Sequence, residues 1–139
     1  MKKIFLPVIF AGLVLLLGVS AGCTVDKVVK TDLGQEFSLG IGQTALIQSE
    51  QLAVRFDGIA GDSRCPSGVT CIWAGEVSSN VTVTYQGSPS NITLTQSGAE
   101  QSTEAVYKQY ALIFSVEPYP QAGKQISDAD YRLNLTVEK

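Results

Sequence analysis

Residues 77–85, Val-Ser-Ser-Asn-Val-Thr-Val-Thr-Tyr, alternate apolar and polar side chains over most of their length. Val77, Val81, Val83 and Tyr85 fall on one face of an extended chain, because side chains two residues apart point the same way. Asn and Thr side chains occupy the opposite face. The stretch therefore predicts a β-strand with one face in a hydrophobic core and the other in solvent.

Similar alternation recurs on both sides of this strand, with turn residues between the runs. The Gly-Ser-Pro-Ser sequence at residues 87–90 predicts a hairpin turn. Pro118 and Pro120 predict the end of a strand, because proline cannot donate to the interior of a sheet. Residues 99–108 show no clear pattern and are left unassigned. The predicted strands contain the alternating sets that begin at Phe37, Ala45, Leu52, Val77, Ile92, Tyr110 and Tyr131.

About seven short strands, each with one apolar and one polar face, predict an all-β domain. A two-sheet β-sandwich fits this pattern better than a closed barrel, although periodicity does not separate the two completely. The sandwich is predicted to span residues 35–139 as a single domain without internal repeats. A domain of roughly 105 residues can bury about two thirds of the surface of its unfolded chain.

The segment just before the predicted strand of residues 77–85 is residues 62–76, which read Asp-Ser-Arg-Cys-Pro-Ser-Gly-Val-Thr-Cys-Ile-Trp-Ala-Gly-Glu. A zinc site would need four ligands, and the chain has no histidine and no further cysteine near this pair. A redox centre would need Cys-x-x-Cys at a helix start, whereas five turn-forming residues separate Cys65 from Cys71. We therefore predict a structural disulfide, worth roughly 2 to 2.5 kcal/mol, that closes what we call the disulfide loop, residues 62–76.

The disulfide loop also contains the only tryptophan of the chain, Trp73, together with Asp62, Arg64 and Glu76. In one interpretation, which a tryptophan next to a disulfide favours, Trp73 caps the hydrophobic core and the charges form surface ion pairs. In the other, the four residues form a binding loop, because loops on a rigid scaffold are where binding usually takes place. The exposure of Trp73 distinguishes the two.

The string Asp-Ser-Arg-Cys-Pro-x4-Cys-x-Trp-Ala-Gly-Glu resembles a signature of small secreted or lipid-anchored prokaryotic proteins that have no assigned function. The resemblance covers the disulfide loop and, more loosely, the β-rich sequence of residues 37–85. It implies an exported β-domain with a disulfide-closed loop, and it implies no activity.

The first 22 residues have the pattern of an export signal: two lysines, an apolar run over residues 4–19 and a small-residue end. The run is shorter than the roughly 20 residues of a spanning helix. Ser20-Ala21-Gly22-Cys23 resembles the lipobox of bacterial lipoproteins, in which the cysteine receives a diacylglyceryl group and becomes the N-terminus, although Ser20 stands where leucine is usual. We predict lipid attachment at Cys23; ordinary signal-peptidase cleavage, which would leave a free thiol, is the alternative.

Lipidation at Cys23 and a disulfide between the other two cysteines would account for all three, and would fit the extracytoplasmic side of a cell envelope. Removal of residues 1–22 leaves 8 basic and 13 acidic residues, because Lys2 and Lys3 are lost, and 8 − 13 gives a net charge of −5. Because phosphates would repel this charge, we predict no nucleic-acid partner. Residues 23–34 are predicted to be the lipidated cysteine and a tether; the alternative is an edge strand that starts at Val28 and Val29.

Functional residues are sparse, and the absence of histidine removes the usual general base and the Ser-His-Asp triad. Asp57, Asp62 and Glu76 are the candidates for a carboxylate-based hydrolase, or for a calcium site completed by Asp128 and Asp130, but no calcium-loop motif is present. We predict no catalytic residue, no cofactor and no metal. The sequence favours a non-catalytic, lipid-anchored binding module with an unknown protein or small-ligand partner; a protease-inhibitor-like or ligand-binding sandwich is the alternative, ahead of a hydrolase.

Overall fold

A computed structural model describes residues 27–139, and the predicted signal peptide and Cys23 lie outside this range. The described chain is built of strands and turns, and no part of it forms a helix that is long and apolar enough to cross a membrane. Nine strands follow one another: β1 (Val28–Thr31), β2 (Glu36–Gly40), β3 (Thr44–Ile47), β4 (Leu52–Asp62), β5 (Glu76–Tyr85), β6 (Ser88–Ser97), β7 (Thr103–Tyr107), β8 (Tyr110–Glu117) and β9 (Arg132–Glu138).

The strands form two sheets, which confirms the predicted β-sandwich. One sheet has the order β1-β3-β4-β5-β6 and the other the order β2-β9-β8-β7. All neighbouring strands are antiparallel except β1 and β3, which are parallel. The disulfide loop connects β4 to β5, the two longest central strands of the five-stranded sheet.

A single hydrophobic core is made by the inward faces of the two sheets. The alternation that predicted the strands also predicted the core, because alternate side chains of β5 and β8 are buried while their neighbours are at least partly exposed. The core residues are Phe37, Leu39, Ala45, Ile47, Leu52, Val54, Phe56, Val77, Val81, Val83, Leu94, Tyr110, Leu112, Phe114, Val116, Tyr131, Leu133, Leu135 and Val137.

Two strands lie where the sequence was ambiguous. β7 falls in the unassigned residues 99–108, and none of its side chains is fully buried, so its alternation is weak. β1 falls in the predicted tether and pairs with β3, as the Val28-Val29 alternative allowed. Both are edge strands, which pair on one side only and need a less regular apolar pattern than a central strand.

The hairpin between β5 and β6 turns earlier than predicted. Its two turn residues are Gln86 and Gly87, with φ values of 49° and 79°. Positive φ at both residues is what a two-residue hairpin turn of type I′ needs. Pro89 lies within β6 instead of in the turn, opposite Thr84. Proline is tolerated there because β6 is the edge of its sheet.

Candidate functional site

The disulfide loop is closed by the Cys65–Cys71 disulfide, with a Cα–Cα distance of 5.9 Å. The predicted pairing is therefore confirmed. Between the two strands and the disulfide ring, the loop continues the β4–β5 hairpin. The Ser63 amide donates to the Glu76 carbonyl at 2.8 Å, and the Cys65 amide donates to the Ala74 carbonyl at 2.8 Å. The base of the loop is thus a narrow extension of the sheet.

Two glycines let neighbouring backbones come very close at this base. A Cβ on Gly75 would lie 1.9 Å from the Ser63 carbonyl oxygen, and Gly75 has a φ of 69°. A Cβ on Gly98 would lie 2.3 Å from the Ala74 carbonyl oxygen, and the Gly98 amide donates to the Gly75 carbonyl at 2.9 Å. Only glycine fits at either position without moving backbone. The loop is therefore packed against the segment that follows β6.

A third neighbour holds the loop on its other side. Ser67 forms an isolated parallel bridge with Gln121, in the segment between β8 and β9. Its amide donates to the Pro120 carbonyl at 2.9 Å, and its carbonyl accepts from the Ala122 amide at 3.1 Å. Backbone hydrogen bonds on both sides and a covalent ring make this a pre-ordered loop.

Arg64 is buried, with 4% of its surface exposed. Its guanidinium pairs side-on with Asp62: Nε donates to Oδ1 at 2.9 Å and Nη2 donates to Oδ2. Two-point pairing of this kind is the strongest arrangement that arginine and carboxylate adopt. The two charges predicted as surface pairs or as part of a binding loop therefore neutralise each other inside the domain.

The remaining donors of Arg64 reach β8 of the opposite sheet and the residue that follows it. Nη1 donates to the Val116 carbonyl at 2.7 Å, Nη2 donates to the Pro118 carbonyl at 2.9 Å, and the guanidinium lies 5.2 Å from the centroid of the Tyr119 ring. Gln96 makes a second link between the sheets, since its side-chain oxygen accepts from the Val116 amide at 2.9 Å. Arg64 is thus a structural residue that ties the loop to β8, and it is not available to a partner.

Asp62 is held as a carboxylate. Burial would raise its pKa, but the hydrogen bonds and charge of Arg64, with a further hydrogen bond from Tyr131, bring the pKa below the usual range. The Tyr131 hydroxyl donates to Oδ2 at 3.1 Å, and burial together with the negative charge of Asp62 raises the pKa of that tyrosine. A carboxylate with a lowered pKa and occupied oxygens is a poor general acid.

Trp73 is 81% exposed, which overturns the interpretation that it caps the core. Ile72 is fully exposed and Val69 is half exposed. We call these three residues, Val69, Ile72 and Trp73, the apolar tip. The physical reason is that the short ring keeps the loop outside the sandwich, while Arg64 takes the interior position between the ends of the sheets.

The four residues predicted as a binding loop therefore divide into two pairs. Trp73 and Glu76 are exposed, whereas Arg64 is buried and pairs with the partly buried Asp62. Sequence reasoning missed Ile72, which is the most exposed apolar residue of the loop, and the supporting roles of Gly98 and Gln96. Ile72 could have been found from the absence of any charged side chain over residues 65–75.

The carboxylates proposed for hydrolysis or calcium binding have other partners. Asp57 accepts hydrogen bonds from Arg55 at 3.1 Å and from Thr82 at 2.6 Å. Asp130 accepts from the Ser127 hydroxyl at 2.7 Å. Within residues 27–139, no three side chains of the acidic, cysteine or histidine types come together as a metal site would require.

Fold and site together define a β-sandwich domain that presents an apolar, disulfide-closed loop at one end. No protein-family model matches the chain, and neither a curated protein nor a solved structure shows significant similarity to it.

Proposed function

We propose that this protein is a non-catalytic binding module, anchored by lipid in the cell envelope, that makes contact through the apolar tip of its disulfide loop. The observation that carries this proposal is the exposure of Ile72 and Trp73 next to each other on a loop whose backbone is fixed. Exposed apolar clusters on a folded domain mark interaction sites, and tryptophan is among the residues that dominate binding energy.

Rigidity of the loop supports the same conclusion. The ring, the close backbone contact at Gly75 and the hydrogen bonds of Ser67 hold the loop before any partner arrives. A pre-ordered loop has little conformational entropy left to lose, so more of the contact energy contributes to affinity. Neither Ile72 nor Trp73 is needed to fill the core, which leaves contact as the role that explains them.

The non-catalytic part of the proposal rests on the carboxylates. Asp62 is paired with Arg64, and Asp57 is hydrogen-bonded to Arg55 and Thr82. Glu76 is exposed to solvent. Without histidine, the chain offers no other conventional general base of neutral pKa.

Anchoring through Cys23 is tested by mass spectrometry of the mature N-terminus, with a Cys23→Ala variant as the control. We expect a chain that begins at Cys23 and carries acyl groups, and a Cys23→Ala chain that is not acylated. Two or more acyl chains suffice for stable attachment to a membrane. A wild-type N-terminus at another residue, or at an unmodified Cys23, would overturn the anchoring.

Contact through the apolar tip is tested by placing a photo-crosslinking amino acid at position 72 in living cells. The matched control has the same amino acid at position 106, because Val106 is also an exposed apolar residue, 75% accessible, but lies on β7 away from the loop. We expect a specific adduct at position 72 and none at position 106. Equal labelling at both positions, or none at either, would refute contact through the tip.

A further inference from the structure

We infer that the apolar tip contacts the bilayer that holds the lipid anchor, so that the domain is attached to the membrane at two points. This inference rests on the proposed lipidation of Cys23 and names the partner of the loop. Three observations carry it: where the described chain begins, how far the loop projects, and the chemistry of the tip.

The described chain begins at the same end of the sandwich as the disulfide loop. Lys27 lines a surface hollow together with Asp128 and Arg132. Asp128 also lines the neighbouring hollow, whose walls include Pro66 of the disulfide loop. The segment between β8 and β9 therefore lies between Lys27, where the described residues begin, and the disulfide loop.

Strand register gives the same direction. β1 is parallel to β3 and aligns Val28 with Thr44, which in turn pairs with Arg55 of β4. Because β4 is antiparallel to β3, the chain before Val28 points the way in which β4 runs on toward the disulfide loop. The chain that precedes Val28 therefore leaves the domain in the direction in which the disulfide loop extends.

The disulfide loop extends farther beyond the level of Val28 than the lipid-bearing Cys23 can reach. From Arg55 to Asp62, β4 advances by the five residues of β5 from Thr82 to Val77, roughly 17 Å at about 3.3 Å per residue. The paired backbone of the loop then continues beyond Asp62 to Cys65. Cys23 is five residues before Val28, the residue level with Arg55, and can be at most about 18 Å from it, even if the chain is fully extended. A bilayer that holds acyl groups on Cys23 therefore meets the loop when the domain stands upright on it.

The chemistry of the tip suits the boundary between headgroups and acyl chains. Residues 65–75 include no charged side chain, so entry of the tip into the boundary would desolvate no side-chain charge. Tryptophan is enriched at this depth, because its ring is apolar while its N–H still finds a polar partner. Ile72 would add apolar area next to it, and the polar loop backbone would keep insertion shallow.

Trp73 is the only tryptophan of the chain, so its fluorescence reports on this contact without labelling. The full lipidated protein is placed in phosphatidylcholine vesicles that contain a lipid with a spin label high on its acyl chain. We expect the emission of Trp73 to shift to shorter wavelength, to be quenched by the labelled lipid, and to be protected from acrylamide in the water. A Trp73→Phe, Val106→Trp variant moves the only tryptophan to the far end of the sandwich, and its emission should stay unquenched by lipid.

The outcomes separate the inference from the proposed function. A lipidated chain whose Trp73 emits as in water and is fully quenched by acrylamide would overturn the membrane contact alone. The same result in pure lipid, with a protein adduct at position 72 in cells, would also overturn it and would identify a protein as the partner. A mature chain without acyl groups would overturn the anchoring, and the two-point attachment with it.

Discussion

Arg64 shows how a charged residue next to a disulfide can serve the interior of a domain. Its guanidinium donates to the Val116 carbonyl of β8, to the Pro118 carbonyl just after that strand, and to the Asp62 carboxylate. Burial of a charge costs free energy, and this cost is offset here by the ion pair together with the two hydrogen bonds to carbonyls. Arg64 therefore has a structural role, which leaves contact with a partner to the apolar tip.

Replacement of Arg64 by methionine should destabilise the domain strongly. Asp62 would keep its partly buried negative charge without a partner, so we expect a loss of about 3 kcal/mol in the free energy of unfolding. Urea denaturation measures this loss. Arg55→Met is the matched control, because Arg55 pairs with Asp57 on the surface with 54% of its side chain exposed, and should cost at most about 1 kcal/mol. Equal losses in the two variants would contradict the role of Arg64.

Trp73→Ala should leave the domain folded. Because Trp73 is exposed, we expect the free energy of unfolding to change by no more than about 0.5 kcal/mol, whereas a core tryptophan would cost about 3 to 5 kcal/mol. The variant has no tryptophan, so unfolding is followed by circular dichroism. Leu112→Ala, in the core, is the control and should lose about 2 to 5 kcal/mol. A comparable loss for Trp73→Ala would place its side chain in the core.

At the scale of elements, the disulfide loop extends the β4–β5 hairpin, and the ring restricts the loop beyond it. The Cys65→Ser, Cys71→Ser double variant should fold but lose about 2 kcal/mol, because the unfolded chain regains the freedom that the ring removes. Chemical denaturation without reductant measures the difference. Wild-type protein in reductant should unfold at the midpoint of the double variant, and a double variant as stable as oxidised wild type would contradict the prediction.

The inner face of β5 contains one polar side chain, Ser79, among valines. Its hydroxyl is buried and finds no hydrogen-bond partner in the described part of the chain. Burial of an unpaired hydroxyl costs about 1 to 3 kcal/mol, so Ser79→Ala should raise the stability of the domain by about 1 kcal/mol. Thermal and urea denaturation measure the gain. Ser78→Ala is the control, because Ser78 is hydrogen-bonded to Thr95 and its replacement should not stabilise; a destabilised Ser79→Ala variant would show that the hydroxyl has a partner.

At the scale of the whole molecule, the end opposite the disulfide loop is closed by a buried tyrosine. Burial and then the hydrogen bond to Glu50 raise the pKa of Tyr110 to about 12. The Tyr110 hydroxyl donates to Glu50 at 2.6 Å, and Lys139 near the C-terminus reaches the same carboxylate at 3.2 Å. The hydrogen bonds from Tyr110 and Lys139 lower the pKa of Glu50.

This raised pKa predicts a loss of stability in alkali. The tyrosine is protonated in both states below its unfolded pKa near 10, so its contribution is complete there. As the pH rises from about 10 to about 12, the unfolded state loses the proton first and the folded state becomes less favourable. The free energy of unfolding, measured against pH, should fall over this range, and Tyr110→Phe should flatten the fall. An unchanged slope in that variant would contradict the assignment.

Much of the fold could be predicted because it depends on neighbours along the chain. The period-two pattern located the central strands and their buried faces, and the cysteine spacing in a chain without histidine indicated the disulfide. The edge strands β1 and β7 were ambiguous, because a strand that pairs on one side only needs a less regular alternation of apolar and polar residues. The β5–β6 turn was placed too late because Pro89 was read as a turn residue, although an edge strand accepts it.

By itself, then, the sequence determined an all-β domain, favoured a sandwich over a barrel and predicted the Cys65–Cys71 disulfide, and it indicated an exported chain with a candidate lipid site at Cys23. Only the tertiary structure decided which side of the disulfide loop faces inward. Arg64 is drawn in by a carbonyl 52 residues away, and its partner Asp62 by a tyrosine 69 residues away. Local patterns do not encode partners at such separations. Arg64 occupies the interior position next to the disulfide, where its guanidinium is hydrogen-bonded, and Trp73 and Ile72 remain at the surface.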